Sequence, residues 1–271
     1  MQNKNYYAID CHCHLDLLAS QDIDIEEVIK NAKKNNVGLL QTICTEFCNL
    51  ENLIKYSEKY DIVYNSVGLH PCNVRFDNIL SYDEIVKLCN HPKTIGIGET
   101  GLDFYHQNNN YDLQEQSFIN HIKASQQTKL PVIIHSRNSD DKMVEILTKY
   151  QKQQEFPALI HCFSSNIDIA KIFIAMNIYI SISGIVTFKN AADIHEAVRY
   201  IPLEYILIET DSPYLAPSPH RGKINKPEMV VEVAKMIASL KNISYQEVVN
   251  YSSKNFYQLF KKAEIKNKYF E

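Results

Sequence analysis

The chain has 271 residues, 45% of them apolar and 22% charged, with a formal net charge of −4. That composition is ordinary for a folded globular protein, and a domain of this size buries enough surface to need no disulfide staples. The negative balance argues against a broadly basic nucleic-acid surface, although bound cations can supply the positive charge that phosphates need, and no run of about 20 apolar residues is present to span a membrane.

Residues 1–10 are polar and then strand-like, without the apolar stretch of a secretory signal. Seven cysteines, an odd number, fit reduced thiols and a cytoplasmic location better than a disulfide framework. Short apolar runs then recur along the chain, at 7–10, 39–43, 62–67, 95–98, 132–134, 158–160, 178–182 and 206–208. Amphipathic stretches lie between them. Residues 25–35 place Ile25, Val28, Ile29 and Ala32 at helical spacing, and 113–127 and 143–150 read the same way. After the eighth run comes a long loop, 210–227, and then two helices. The second begins at Ser244 with Glu247 three residues on, a capping-box signature. Eight β-branched-rich runs separated by helices predict parallel βα units closing into a (β/α)8 TIM barrel, an α/β fold that routinely uses about 250 residues as one domain. With no linker, repeat or low-complexity tract, residues 1–271 are read as a single domain. Five of the seven glycines, Gly68, Gly96, Gly98, Gly101 and Gly184, fall within or just after candidate strands. In such a barrel the carboxyl ends of the strands carry the chemistry.

Those ends are where the candidate ligands fall. In Asp10-Cys11-His12-Cys13-His14, strand alternation points His12 and His14 the same way, with Cα atoms roughly 7 Å apart, so that both can grip one ion. The same alternation sends Cys11 and Cys13 toward the helix layer, which disfavours a Cys/His zinc site. Glu99 follows the fourth run, His135 the fifth and His161 the sixth; Cys162, beside His161, should face away as small apolar filling. Asp211 follows the eighth run. Each residue alone is as readily a polar cap, but five strand ends with metal-capable side chains on one rim point to Zn²⁺, Mn²⁺ or a similar ion. His70 follows the third run, and Arg137, two past His135, would share the ligand face and could clamp a phosphate.

These residues sit in stretches that resemble the TatD family of metal-dependent deoxyribonucleases: DCHCHLD at 10–16, GLHP at 68–71, GETGLDFY at 98–105, PVIIHSR at 131–137, HCFS at 161–164, SISGIVTFKNA at 181–191, ETDSPYLAP at 209–217 and HRGKINKP at 220–227. The resemblance runs from about residue 7 to 260. It implies an amidohydrolase-type barrel that hydrolyses phosphodiesters, often as a 3′→5′ exonuclease on DNA. Two divalent ions (Zn, Mn or Mg) are implied, one held by His12, His14, Glu99 and Asp211, the other by Glu99, His135 and His161, with Glu99 bridging. On that basis water activated by the cations attacks in line. Asp211 accepts its proton, His70 and Arg137 stabilise the developing charge, and Glu209 acts one layer out. Asp103 and Tyr105, with Phe104, are read as substrate contacts, the aromatic rings as stacking partners for a terminal base. DNA, single-stranded or at a 3′ end, is the expected partner, with no membrane and no obligate protein partner. After His-Ser-Arg the chain reads Asn138-Ser139-Asp140 where many relatives have an acidic residue and Ala, which leaves the following helix start open. Two other readings stay open: a hydrolase of a small ester, amide or phosphate on the same scaffold, and a metal-binding protein without activity. Glu99, rather than a lysine able to form a bridging carbamate, leans against amide chemistry.

Overall fold

A computed structural model describes residues 7–106 and 110–263. Eight strands, β1 (Ala8–Cys13), β2 (Val37–Thr42), β3 (Val63–Val67), β4 (Thr94–Asp103), β5 (Val132–Arg137), β6 (Ala158–Ile160), β7 (Tyr179–Ile182) and β8 (Ile206–Ile208), pair in parallel in chain order. The ring closes just beyond β8, where the Asp211 N–H donates to the His12 carbonyl and the His14 N–H to the Ser212 carbonyl, each at 2.9 Å. The expected eight-stranded parallel α/β barrel is the observed fold.

Among the described residues the helices are α1 (Leu15–Ala19), α2 (Ile25–Lys34), α3 (Leu50–Lys59), α4 (Tyr82–Leu88), α5 (Tyr111–Thr128), α6 (Asp140–Gln153), α7 (Ile167–Ala175), α8 (Ala192–Tyr200), α9 (Val230–Lys241) and α10 (Tyr245–Leu259). Their starts follow local chemistry. Asp24 accepts the Glu26 N–H at the head of α2, whose Ile25, Val28, Ile29 and Ala32 are all buried. Ser244 and Glu247 form the expected capping box of α10. Helix α6 starts at Asp140, but Ser139 ahead of it caps nothing; its hydroxyl donates instead to the Leu102 carbonyl of β4. None of the helices in the described residues is long and apolar enough to cross a membrane.

Two apolar layers result. Outward-facing strand residues such as Leu40, Val63, Ile134, Ile160, Ile180 and Ile208 pack under the helices. Inward-facing Ile9, Leu39, Tyr64, Ile95, Ile133, Leu159 and Leu207 fill the barrel and meet Phe256, Leu259 and Phe260 at the end of α10. The α10 side chains Ser253 and Asn255 donate to the carbonyls of Tyr7, Leu203 and Ile206, at the amino ends of β1 and β8. One mouth of the barrel is therefore closed with apolar groups, and the carboxyl mouth is left for polar ones.

Strands β1, β4 and β5 run further than the apolar pattern predicts, and β1 and β4 carry bulges. In β1 Asp10 faces Leu40 and Cys13 faces Thr42, three steps against two. The extra residue breaks the alternation. Cys11 therefore points into the barrel, with its Sγ 3.2 Å from Ser181 Oγ, rather than toward the helix layer; Cys13 does pack under the helices. In β4 Ile97 faces Val132 and Thr100 faces Ile134, again three against two, so Glu99 lies within a strand and does not end it. Gly98 and Gly101 make this possible. Both have φ near +140°, and a Cβ there would lie 2.4 Å from the Ile133 carbonyl oxygen and 2.1 Å from that of His135. A strand built of glycine and polar residues has little apolar periodicity, which is why its length is hidden in the sequence.

Candidate metal centre

The carboxyl mouth opens on a cavity of about 850 Å³ whose floor carries His14, Glu99, His135, His161 and Asp211. Glu99 is the centre of the arrangement. Its Oε2 lies 3.4 Å from His12 Nε2 and 4.0 Å from His14 Nε2. Asp211 Oδ1 adds itself to that side, 3.7 Å from His12 Nε2 and 3.4 Å from His14 Nε2. The other Glu99 oxygen, Oε1, lies 2.7 Å from His161 Nε2, 2.9 Å from His135 Nδ1 and 3.3 Å from His70 Nε2. The six residues expected to hold ions are thus brought together, with five of them divided between the two sides of the Glu99 carboxylate.

The far side of each ring decides which nitrogen faces the centre with a lone pair. His14 Nδ1–H donates to the Ile43 carbonyl at 3.3 Å, His161 Nδ1–H to Glu209 Oε1 at 3.3 Å, and His135 Nε2–H to Asp103 Oδ2 at 3.1 Å. In the neutral tautomer these rings present a lone pair toward Glu99. His70 is built the other way: its Nδ1 accepts the Cys72 N–H at 3.0 Å, so its Nε2 carries the proton into the cavity. Among the described residues, His12 Nδ1 is buried without a hydrogen-bond partner.

Such packing demands positive charge. His12 and His14 Nε2 lie 3.3 Å apart, as do His135 Nδ1 and His161 Nε2, beside a carboxylate that is only 2% exposed. Burial favours neutral groups here, yet the surrounding imidazoles hold Glu99 well below the usual carboxylate range. Burial likewise works against a charge on His161, but Glu99 and Glu209 outweigh it and raise its pKa well above the ordinary value. Protons or cations must occupy the centre. Nitrogen and oxygen donors bound at about 2.1 Å are spaced ~2.9–3.4 Å from one another, and the observed spacings of 2.7 to 4.0 Å straddle that range. The donor set, imidazole with carboxylate, suits Zn²⁺, Mn²⁺ or their neighbours.

The remaining expected residues are distributed around this centre. Glu209 is fully buried behind His161. Asp103 is 1% exposed; besides His135 it accepts the N–H groups of Tyr105 and His106, so it stands behind His135 on the cavity wall. Arg137 lines the cavity and lays its guanidinium 3.9 Å over the ring of Tyr105, which is 55% exposed. Phe104 packs against Tyr111 and the outer core. Cys162 departs from expectation: β6 has already ended, its backbone is left-handed at φ +45°, and its Sγ lies 3.1 Å from Ser183 Oγ on the cavity wall. Two contributors were not singled out from sequence. Asp10, fully buried, accepts the Thr210 N–H at 2.8 Å and the Thr210 hydroxyl at 2.6 Å, which pins the chain next to Asp211. Asn225 donates to the Thr210 and Tyr214 carbonyls and folds the long loop back on itself. Both lie in recognisable motifs, but their partners are far away in sequence.

Comparison with known proteins agrees with this geometry. A family model described as TatD related DNase matches residues 9–261. A protein named "Uncharacterized metal-dependent hydrolase" from Buchnera aphidicola subsp. Baizongia pistaciae is 40% identical over 256 residues, covering 94% of this chain and 96% of that one. YcfH of Escherichia coli K12, also named an uncharacterized metal-dependent hydrolase, is 35% identical over 259 residues, with 94% and 96% covered. Among solved structures, the TatD homologue YJJV of Escherichia coli K12 superposes with a TM-score of 0.86 at 26% identity, covering 94% of this chain and 98% of that one.

Proposed function

This chain belongs to the TatD-related family of metal-dependent hydrolases, and we propose that it hydrolyses DNA phosphodiesters from a 3′ end at a centre holding two divalent ions. The observation that carries the two-ion reading is the division of donors across Glu99: His12, His14 and Asp211 on Oε2, His135 and His161 on Oε1. The family description supports DNA as the substrate. Zn, Mn or Mg ions held by these residues would supply Lewis acidity, activating water and neutralising charge on the phosphate.

The side chains do the rest. Asp211 is the most open carboxylate of the cluster, with its side chain 15% exposed against 3% for Glu99. It faces the cavity and accepts the proton of the attacking water. His70 Nε2–H enters the cavity beside Glu99 Oε1 and donates to a non-bridging phosphate oxygen as charge builds. Asp103 and Glu209 hold His135 and His161 in the tautomers that ligation requires, an orienting role for both carboxylates. The stacked pair of Arg137 and Tyr105 at the rim offers a cation to the next phosphate and an aromatic face to a base.

The deciding assay follows an end-labelled single-stranded oligonucleotide with chelator-stripped protein resupplied with Mg²⁺, Mn²⁺ or Zn²⁺, and Glu99→Ala alongside. Stepwise shortening restored by metal and missing from the variant is expected. If the oligonucleotide stays intact while two ions remain bound per chain, the substrate assignment fails and the centre stands. A cavity of about 850 Å³ also has the size of a small-molecule pocket. Turnover of chromogenic esters with no action on DNA would therefore favour a small ester, amide or phosphate.

A further inference from the structure

A second group of metal-type donors stands on the same cavity wall, joined to the residues around Glu99 only through the hydrogen bond from His135 to Asp103. Cys72, Asp103 and His106 bring one sulfur, one oxygen and one nitrogen within 4.8 Å of one another. Cys72 Sγ lies 3.5 Å from His106 Nδ1, and His106 Nδ1 lies 3.2 Å from both oxygens of Asp103. Bonds of about 2.3 Å to sulfur and ~2.1 Å to nitrogen and oxygen, arranged tetrahedrally, set sulfur–nitrogen and nitrogen–oxygen separations of ~3.6 and ~3.4 Å. The observed spacings are within a few tenths of an ångström of those values. We propose that Cys72, Asp103 and His106 form a third cation site, selective for a thiophilic divalent ion such as Zn²⁺, with its remaining coordination position open to the cavity.

Three further observations fit. All three residues line the cavity, so an ion reaches them without opening the fold. Asp103 is almost fully buried and already anchored by the backbone N–H groups of Tyr105 and His106, so one ligand is rigid before the ion arrives. The mixed sulfur, nitrogen and oxygen donor set differs from the imidazole and carboxylate donors around Glu99, so it favours a softer ion.

The test loads chelator-stripped, reduced protein with Co²⁺ and reads the near-ultraviolet thiolate-to-cobalt charge-transfer band, with elemental analysis after Zn²⁺ loading. The wild type is expected to show the band, and Cys72→Ser is expected to lose it together with one zinc per chain. His106→Ala should weaken or abolish the band while leaving the thiol in place. Glu99→Ala should keep it, because Glu99 contacts none of the three ligands and the band reports metal binding rather than activity. No band in the wild type overturns the proposal. So does a band that survives Cys72→Ser, which would assign the thiolate to Cys162 or Cys11, or one that vanishes in Glu99→Ala.

Discussion

The Asp211 N–H donates to the His12 carbonyl at 2.9 Å, across the seam where the last strand meets the first. Asp211 sits at φ +56°, a conformation that Asp tolerates better than most residues. The bond that closes the barrel thus also fixes the spacing of two proposed ligands, whose side chains approach to 3.7 Å. Asp211→Asn keeps the backbone bond and the left-handed turn but removes the charge. Turnover is expected to fall roughly 10²–10⁴-fold, with DNA affinity and melting temperature nearly unchanged. Undiminished turnover would remove Asp211 from the role of base.

Glu209 touches no cavity solvent, yet it should matter to the ions. Its carboxylate receives His161 Nδ1–H at 3.3 Å and so selects the nitrogen that faces Glu99. Glu209→Gln is expected to weaken metal binding roughly 10–100-fold, measured by competition with a chromogenic chelator. Equal affinity in both proteins would leave Glu209 a packing residue only.

The two glycines with the most positive φ values in β4 should not be interchangeable with a loop glycine. At Gly101 an added Cβ would strike the His135 carbonyl oxygen at 2.1 Å, whereas at Gly222, φ +81°, nothing lies within 4 Å. Gly101→Ala combines strain with a clash against the strand that carries His135, and about 3 kcal/mol or more of lost stability is expected. Gly222→Ala should cost about 1 kcal/mol. Denaturant titration of both variants compares them directly, and similar losses would contradict the close approach of β4 and β5.

His121 provides a pH test away from the metal centre. It is buried on α5, stacks on Phe47 and bonds the Ser117 carbonyl oxygen through Nδ1, while Nε2 has no partner among the described residues. Burial, only partly offset by the Ser117 bond, pushes its pKa down to about 4. The unfolded imidazole titrates near 6.5, so as pH falls the unfolded chain takes up the proton first. The stabilising effect is complete above about pH 6.5 and fades as pH falls toward 4, a change on the order of 3 kcal/mol. His121→Gln lacks this titration, so the stability difference between wild type and variant should change between pH 7 and pH 4. A constant difference would mean that His121 is already charged or is solvated when folded.

With a net charge of −4, the chain has little to offer DNA beyond the proposed ions and the rim around Arg137. Few counterions are displaced on binding, so the logarithm of the binding constant should fall only shallowly with the logarithm of salt concentration. Measured with a catalytically inactive variant, a steep slope would reveal a phosphate-binding surface beyond the cavity.

Much of this protein is legible in its sequence. Buried strands read as apolar runs because both of their faces are covered, and α2 and α10 read from apolar spacing and capping residues. The proposed ligands read from histidines and carboxylates that directly follow such runs, a local pattern that needs no coordinates. What lay beyond reach depends on contacts between distant segments. Strand alternation placed Cys11 under the helices, but pairing with β2 inserts a bulge that turns it into the barrel beside Ser181. Glycine and polar residues concealed the length of β4, because its shape is set by close approach to β5. The sequence by itself determined the ring of eight strands and which side chains would meet at its mouth, since both follow from periodicity and strand direction. The division of ligands across Glu99 was implied by the family resemblance; only the tertiary structure decided that His70 presents a proton and that Cys72 meets Asp103 and His106. Those facts rest on ring tautomers and loop packing across the barrel, which no local pattern encodes.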